Sequence, residues 1–186
     1  MRYDNFSHTP DRFEFSKIVE MFNDPKSLAK YFYEHPDFVA TAQDGTFGWA
    51  EDQGKLYGFE KGYLPNFLED LQTGFEILKG QNIWPSDPNQ EYTLYRGIVI
   101  FDVEPDTTKP GICWSYERSG AEDWLDALMD EDDYESAPCI MEGKTKASNI
   151  DWLMTLLLLC TCPEEKEIRL WDDSKENLTI TDWEVL

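Results

Sequence analysis

Residues 91–103 read EYTLYRGIVIFDV. Tyr92, Thr93, Tyr95, Ile98, Val99 and Ile100 are aromatic or β-branched, types that suit a pleated surface, and the run predicts a strand. The chain before it has a different period. KIVEMFND follows Ser16, a residue able to cap a helix, and Asp24-Pro25 opens a second helical run, SLAKYFYEHP, with Leu28, Tyr31 and Phe32 at helical spacing. Residues 64–79 place Phe67, Leu68, Leu71, Phe75 and Leu78 on one stripe and stop at Gly80. Between these helices, residues 43–62 are rich in glycine and aromatics and read as loops or short strands.

After QNIWPSDPNQ, a loop with two prolines, the strand period dominates. GICWSY (111–116), APCIMEGKT (137–145), EIRLWDD (167–173) and LTITDWEVL (178–186) read as further strands. Two helices interrupt them. One is SGAEDWLDALMDEDD, its start placed near Ala121. The other is SNIDWLMTLLLLC, capped by Ser148 or Asn149. Helices first and strands later predict an α+β fold with a mixed or antiparallel sheet. A length of 186 residues favours one domain over 1–186, with a mainly helical part to residue 90 and a β-rich core over 91–186.

Composition narrows the function. Apolar residues make up 41% of the chain and aromatics 15%, enough for a packed core. Sixteen Lys and Arg against 38 Asp and Glu leave a formal charge of −22, which repels nucleic-acid phosphates and anionic membranes and favours a partner with a basic surface. The cysteines, at 113, 139, 160 and 162, form no C-x-x-C pair, and His8 and His35 are the two histidines, so no zinc site is expected. The N-terminus lacks the apolar stretch of a secretory signal, and the longest apolar run, near 153–162, is too short to span a bilayer. A cytoplasmic protein with reduced thiols is expected.

Three short stretches carry candidate chemistry. In TLYRGIVI, Arg96 lies within an apolar strand. It is either paired with one of the many acids or serves as an anion clamp, since guanidinium presents a rigid fork of donors that suits phosphate. Gly97 beside it would let a ligand approach the backbone. In GICWSYERSGA, Ser115 ends a strand between Trp114 and Tyr116 and lacks the G-x-S-x-G context of a hydrolase nucleophile. In PEEKEIRL, alternation along an extended segment would put Glu165 and Glu167 on one face. Paired carboxylates there suit acid/base work or stabilisation of a developing cation; otherwise they are a solvated charge run.

Taken in order, an arginine on one strand, a serine ending the next and E-x-E entering a third resemble the R-S-E class of mono-ADP-ribosyltransferases. The matching pieces are YRG (95–97), GICWSYERSGA (111–121) and EEKEIRL (164–170), with EGKTKASNIDW (142–152) similar to the linker of phage and bacterial members. The triplet Cys113-Trp114-Ser115 stands where the family usually has Ser-Thr-Ser, with Cys113 in the first serine's place. The resemblance covers roughly the C-terminal half.

That resemblance implies an ADP-ribosyltransferase-type core that takes NAD as a substrate. Arg96 would hold the NAD phosphates and nicotinamide ribose, and Gly97 would offer backbone groups to the nicotinamide amide. Ser115 would support the catalytic glutamate, and Trp114 or Tyr116 would line the nicotinamide pocket. Glu167 would bond the ribose 2′-hydroxyl and stabilise the oxocarbenium-like transition state, and Glu165 would orient or deprotonate the acceptor. E-x-E goes with arginine acceptors in that family. The implied activity is transfer of ADP-ribose to a protein side chain with release of nicotinamide, in the host cytoplasm if the chain is phage-encoded. Two other readings stay open. One is an acidic, non-enzymatic inhibitor that covers a basic, nucleic-acid-binding protein surface. The other is a relative of the family that binds NAD with weakened turnover.

Overall fold

The computed structural model describes residues 9, 11–35, 64–101, 104–108, 110–129, 136–161, 163–171 and 178–186. The loops expected over 43–62 lie outside them. Within the described residues the protein is α+β, with five α-helices and one five-stranded sheet. No helix among them is long and apolar enough to cross a membrane.

The chain divides into two compact units, residues 1–86 with 151–163 and residues 87–150 with 164–186. The first crossing falls near the expected boundary at residue 90, but the late helix rejoins the first unit. That unit holds α1 (Phe15–Asn23), α2 (Pro25–Glu34), α3 (Leu64–Gly80) and α5 (Trp152–Thr161). The N-cap of α1 is Glu14, with no side-chain cap, so Ser16 lies inside the helix. Asp24 caps α2 as its position before Pro25 implies, accepting from the Ser27 amide at 3.3 Å. Leu71, Phe75 and Leu78 of the expected α3 stripe are buried. Phe22, Phe75, Trp84 and Trp152 pack edge to face, with Phe22 5.3 Å from Trp84 and 6.1 Å from Trp152 between ring centres. Ser148 and Asn149 form a separate 3₁₀ turn, and the residue that serves α5 is Asp151. Its carboxylate accepts from the Met154 amide at 3.2 Å and from the amide and hydroxyl of Thr9, which satisfies a buried charge.

The second unit holds the sheet: β1 (Glu91–Ile100), β2 (Cys113–Ser115), β3 (Ala137–Lys146), β4 (Glu167–Arg169) and β5 (Leu178–Val185), with α4 (Arg118–Leu128). α4 starts three residues before the expected Ala121. The strand order is β4-β2-β1-β3-β5, and every pairing is antiparallel. β1 and β3 pair over ten consecutive residues, whereas the register between β1 and β2 is the single pair Tyr95–Ser115. α4 covers one face of the sheet, where Ala121 and Leu125 meet Ile140, Tyr95 and Val99.

Gly97 allows that contact. A side-chain carbon there would overlap the Ala121 carbonyl oxygen and come within 2.7 Å of Leu125 Cγ. The close approach expected at Gly97 is therefore made by a helix, and its Cα is not open to a ligand.

Candidate functional site

Three of the motifs meet on adjacent strands of the second unit. Ser115 pairs with Tyr95, the neighbour of Arg96, on one side and with Glu167 on the other. Residues directly opposite in an antiparallel pair point to the same face, so Tyr95, Ser115 and Glu167 share the face covered by α4. Cys113 and Arg169, paired two residues further along the β2–β4 ladder, point there too.

The Ser115 hydroxyl is buried beneath the first turn of α4, with Gly120 directly over it. It donates to the Lys166 carbonyl at 3.3 Å, and the Glu117 amide approaches it at 3.5 Å. Lys166 has a left-handed backbone, φ 54°, costly for a residue with a side chain. Its ammonium group holds the turn, donating to Ser119 Oγ at 2.6 Å and pairing with Glu117 at 2.8 Å. That turn changes the expected relation of the glutamates. Glu165 ends a 3₁₀ turn, Pro163–Glu165, and Glu167 begins the strand, so simple alternation does not relate them. They remain electrostatic neighbours. The Glu165 carboxyl is raised from 4.5 to about 7, first by burial, then by the charges of Glu167 and Glu164, with Arg169 opposing.

Glu167 takes Arg169 as its ion partner, Oε1 lying 2.8 Å from Nη2. Arg169 is 2% exposed. The Cys113 thiol is pushed up to about 12, by burial first and then by the Glu167 charge. A thiol so shifted stays protonated. The position occupied by cysteine in place of serine therefore still faces Glu167.

Arg96 leaves β1 on the opposite alternation from Tyr95 but turns toward β2. Nη1 donates to the Cys113 carbonyl at 3.1 Å. Its guanidinium lies against Gly111, where φ is 72° and a side-chain carbon would collide with it. Burial lowers its proton affinity, while the Glu167 charge acts in the other direction. The two aromatics beside Ser115 differ. Trp114 is a core side chain, its indole N–H bonded to the Gly111 carbonyl at 3.2 Å and its ring against Gly143. Tyr116 is half-buried, and its amide donates to the Lys166 carbonyl at 3.1 Å.

Sequence reasoning passed over Arg169 and Lys166. Arg169 had a signal: it lies two residues after Glu167 in an extended run, hence on the same face, between Ile168 and Leu170. Lys166 had none, because nothing in E-K-E announces a left-handed residue. Among the described residues no group of three or more His, Cys, Asp or Glu is arranged to hold a metal ion. The polar groups gathered here are two arginines, a buried hydroxyl, a thiol and two glutamates of different character. One glutamate is compensated by a buried guanidinium, and the other is poised to exchange a proton near neutral pH. Compared with known protein families, curated proteins and solved structures, the chain matches none.

Proposed function

We propose that the chain transfers ADP-ribose from NAD to a protein side chain, arginine being the acceptor that E-x-E implies. The observation that carries this is the Tyr95–Ser115–Glu167 rung, which gathers pieces of three distant motifs on adjacent strands. Arg96 would meet the phosphates and nicotinamide ribose, Gly97 the nicotinamide amide through its backbone, and Tyr116 the ring. Glu167, its charge compensated by Arg169, would bond the ribose 2′-hydroxyl and face the positive charge that develops on the sugar. The bond from ribose C1′ to the nicotinamide nitrogen breaks, and its electron pair leaves with neutral nicotinamide. A nucleophile on the acceptor forms the new bond to C1′. Its proton passes to Glu165, whose pKa of about 7 suits a general base. Labelled NAD incubated with a cell lysate tests the reading: wild type labels lysate protein and Glu167→Gln does not. Equal labelling by both, or none by either, ends it.

A second reading rests on a specific observation. Arg96 bonds the Cys113 carbonyl, Ser115 bonds the Lys166 carbonyl, and Trp114 is core, so these groups already serve the fold. Such a chain would bind NAD with little or no turnover. Calorimetry with NAD followed by a nicotinamide-release assay separates the two, since binding without release identifies the second.

A further inference from the structure

The outer edge of β5 has features that the site at Glu167 does not use. β5 ends the sheet opposite β4 and pairs, among the described strands, with β3 alone. The Leu186 amide donates to the Pro138 carbonyl at 3.0 Å. Backbone groups alternate inward and outward along such a strand, so the amides and carbonyls of Val185 and Trp183 face away from the sheet. Edge strands are commonly protected by lysine, proline or a bulge. From Leu178 to Val185 this strand has neither lysine nor proline. Its bulge falls at Glu142/Gly143, opposite Thr181, and leaves Asp182 to Val185 in unbroken register. Trp183, Val185 and Leu186 remain 37%, 44% and 55% exposed.

The charge around this edge indicates what fits it. Asp182 and Glu184 are the strand's ionisable residues, in a chain of net charge −22. Glu184 is paired with Arg118 at 2.9 Å. Asp182 turns back on the strand, its Oδ1 accepting from the Trp183 amide at 2.8 Å, so a carboxylate covers one of the outward amides. A second copy of the chain would bring its own carboxylates against these. A cationic side chain would instead draw Asp182 away and free the amide.

We propose that the outer edge of β5, unpaired among the described residues, docks an extended, basic segment of a partner protein, which adds a strand to the sheet and seats apolar side chains on Trp183 and Val185. This does not depend on NAD chemistry at Glu167, and its test contains no NAD. The full chain is titrated with an eight-residue peptide alternating lysine and valine, with binding read by calorimetry and by amide hydrogen exchange. Exchange at Trp183 and Val185 should slow by about tenfold or more at saturation, with affinity falling as salt rises. Val185→Pro removes an outward amide and no inward bond, and should abolish binding while circular dichroism is unchanged. Asp182→Asn should weaken binding severalfold in a chain that keeps every inward bond. Undiminished binding to Val185→Pro would mean charge attraction alone and overturn the proposal. Equal binding of a glutamate–valine peptide, or no binding of the lysine–valine peptide, would overturn it too. A dimer of the chain alone with both amides protected would assign the edge to a second copy and overturn it as well.

Discussion

β1 is held in two different ways on its two flanks. Toward β3 it pairs over ten residues, from Glu91–Lys146 to Ile100–Ala137. Toward β2 the register is one pair, Tyr95–Ser115. On the first flank the backbone ladder makes the contact. On the second, a side chain adds to that pair, Arg96 reaching across to the Cys113 carbonyl, and beyond β2 the Ser115–Lys166 bond and the Arg169–Glu167 pair tie in the β4 side. The candidate site thus lies where the ladder gives out, and its polar groups carry structural duties there. Substitutions on the β2–β4 side should cost more than those of exposed side chains on the β3 side.

The largest effect is expected at Arg169. Arg169→Met would leave the largely buried Glu167 carboxylate without its ion partner, at a cost of up to about 3 kcal/mol in urea denaturation. Adding Glu167→Gln should recover most of that loss. Lys144→Ala, an exposed position on β3, should stay within about 0.5 kcal/mol of wild type. If Arg169→Met and Lys144→Ala cost the same, the contrast between the flanks is lost. Gly97→Ala comes next. Its methyl would overlap the Ala121 carbonyl oxygen and push α4 off the sheet, a loss of about 1–3 kcal/mol by denaturation.

A smaller change is expected at Ser115. Ser115→Ala removes the bond to the Lys166 carbonyl, worth about 1 kcal/mol, and should speed hydrogen exchange at the Tyr116 amide, which bonds the same carbonyl. The smallest effect sharpens the assignment of Glu165. Its carboxyl rises from 4.5 to about 7, so the native chain holds this proton more tightly than the unfolded chain. Native stability therefore falls as pH rises from about 4.5 to 7 and levels off above that. Glu165→Gln should make the protein more stable at pH 8 and nearly unchanged at pH 5. The gain should stay under about 1 kcal/mol, because the side chain is half-exposed and screened. Thermal melts at the two pH values measure it.

Much of the architecture was legible from local pattern. Four strands fall within their expected stretches and β3 runs one residue past its own, to Lys146, while α2 and α3 follow the apolar spacing that announced them. The errors were at boundaries and caps, at Ser16, Ala121, Ser148 and Asn149, where a residue's capping ability says nothing about whether its backbone takes the capping conformation, and at Glu165 and Glu167, where the left-handed Lys166 breaks the expected alternation. At the site, sequence order alone brought Arg96, Ser115 and the glutamates into one argument. It could not show that Trp114 is core or that Gly97 admits a helix, because both depend on what packs across the sheet.

What this sequence determined by itself is periodic: which segments are helices, which are strands, and that the chain is strongly acidic. These follow from residues a few positions apart, whose spacing decides which side chains share a face. What the tertiary structure alone decided is pairwise and distant. It set the order β4-β2-β1-β3-β5, the return of α5 to the first unit, the Arg169–Glu167 pair and the proton affinity of Glu165. Strand register is a contest among long-range pairings. The pKa of Glu165 depends on burial and on charges that the left-handed turn at Lys166 brings near, so neither is written in the spacing of neighbours.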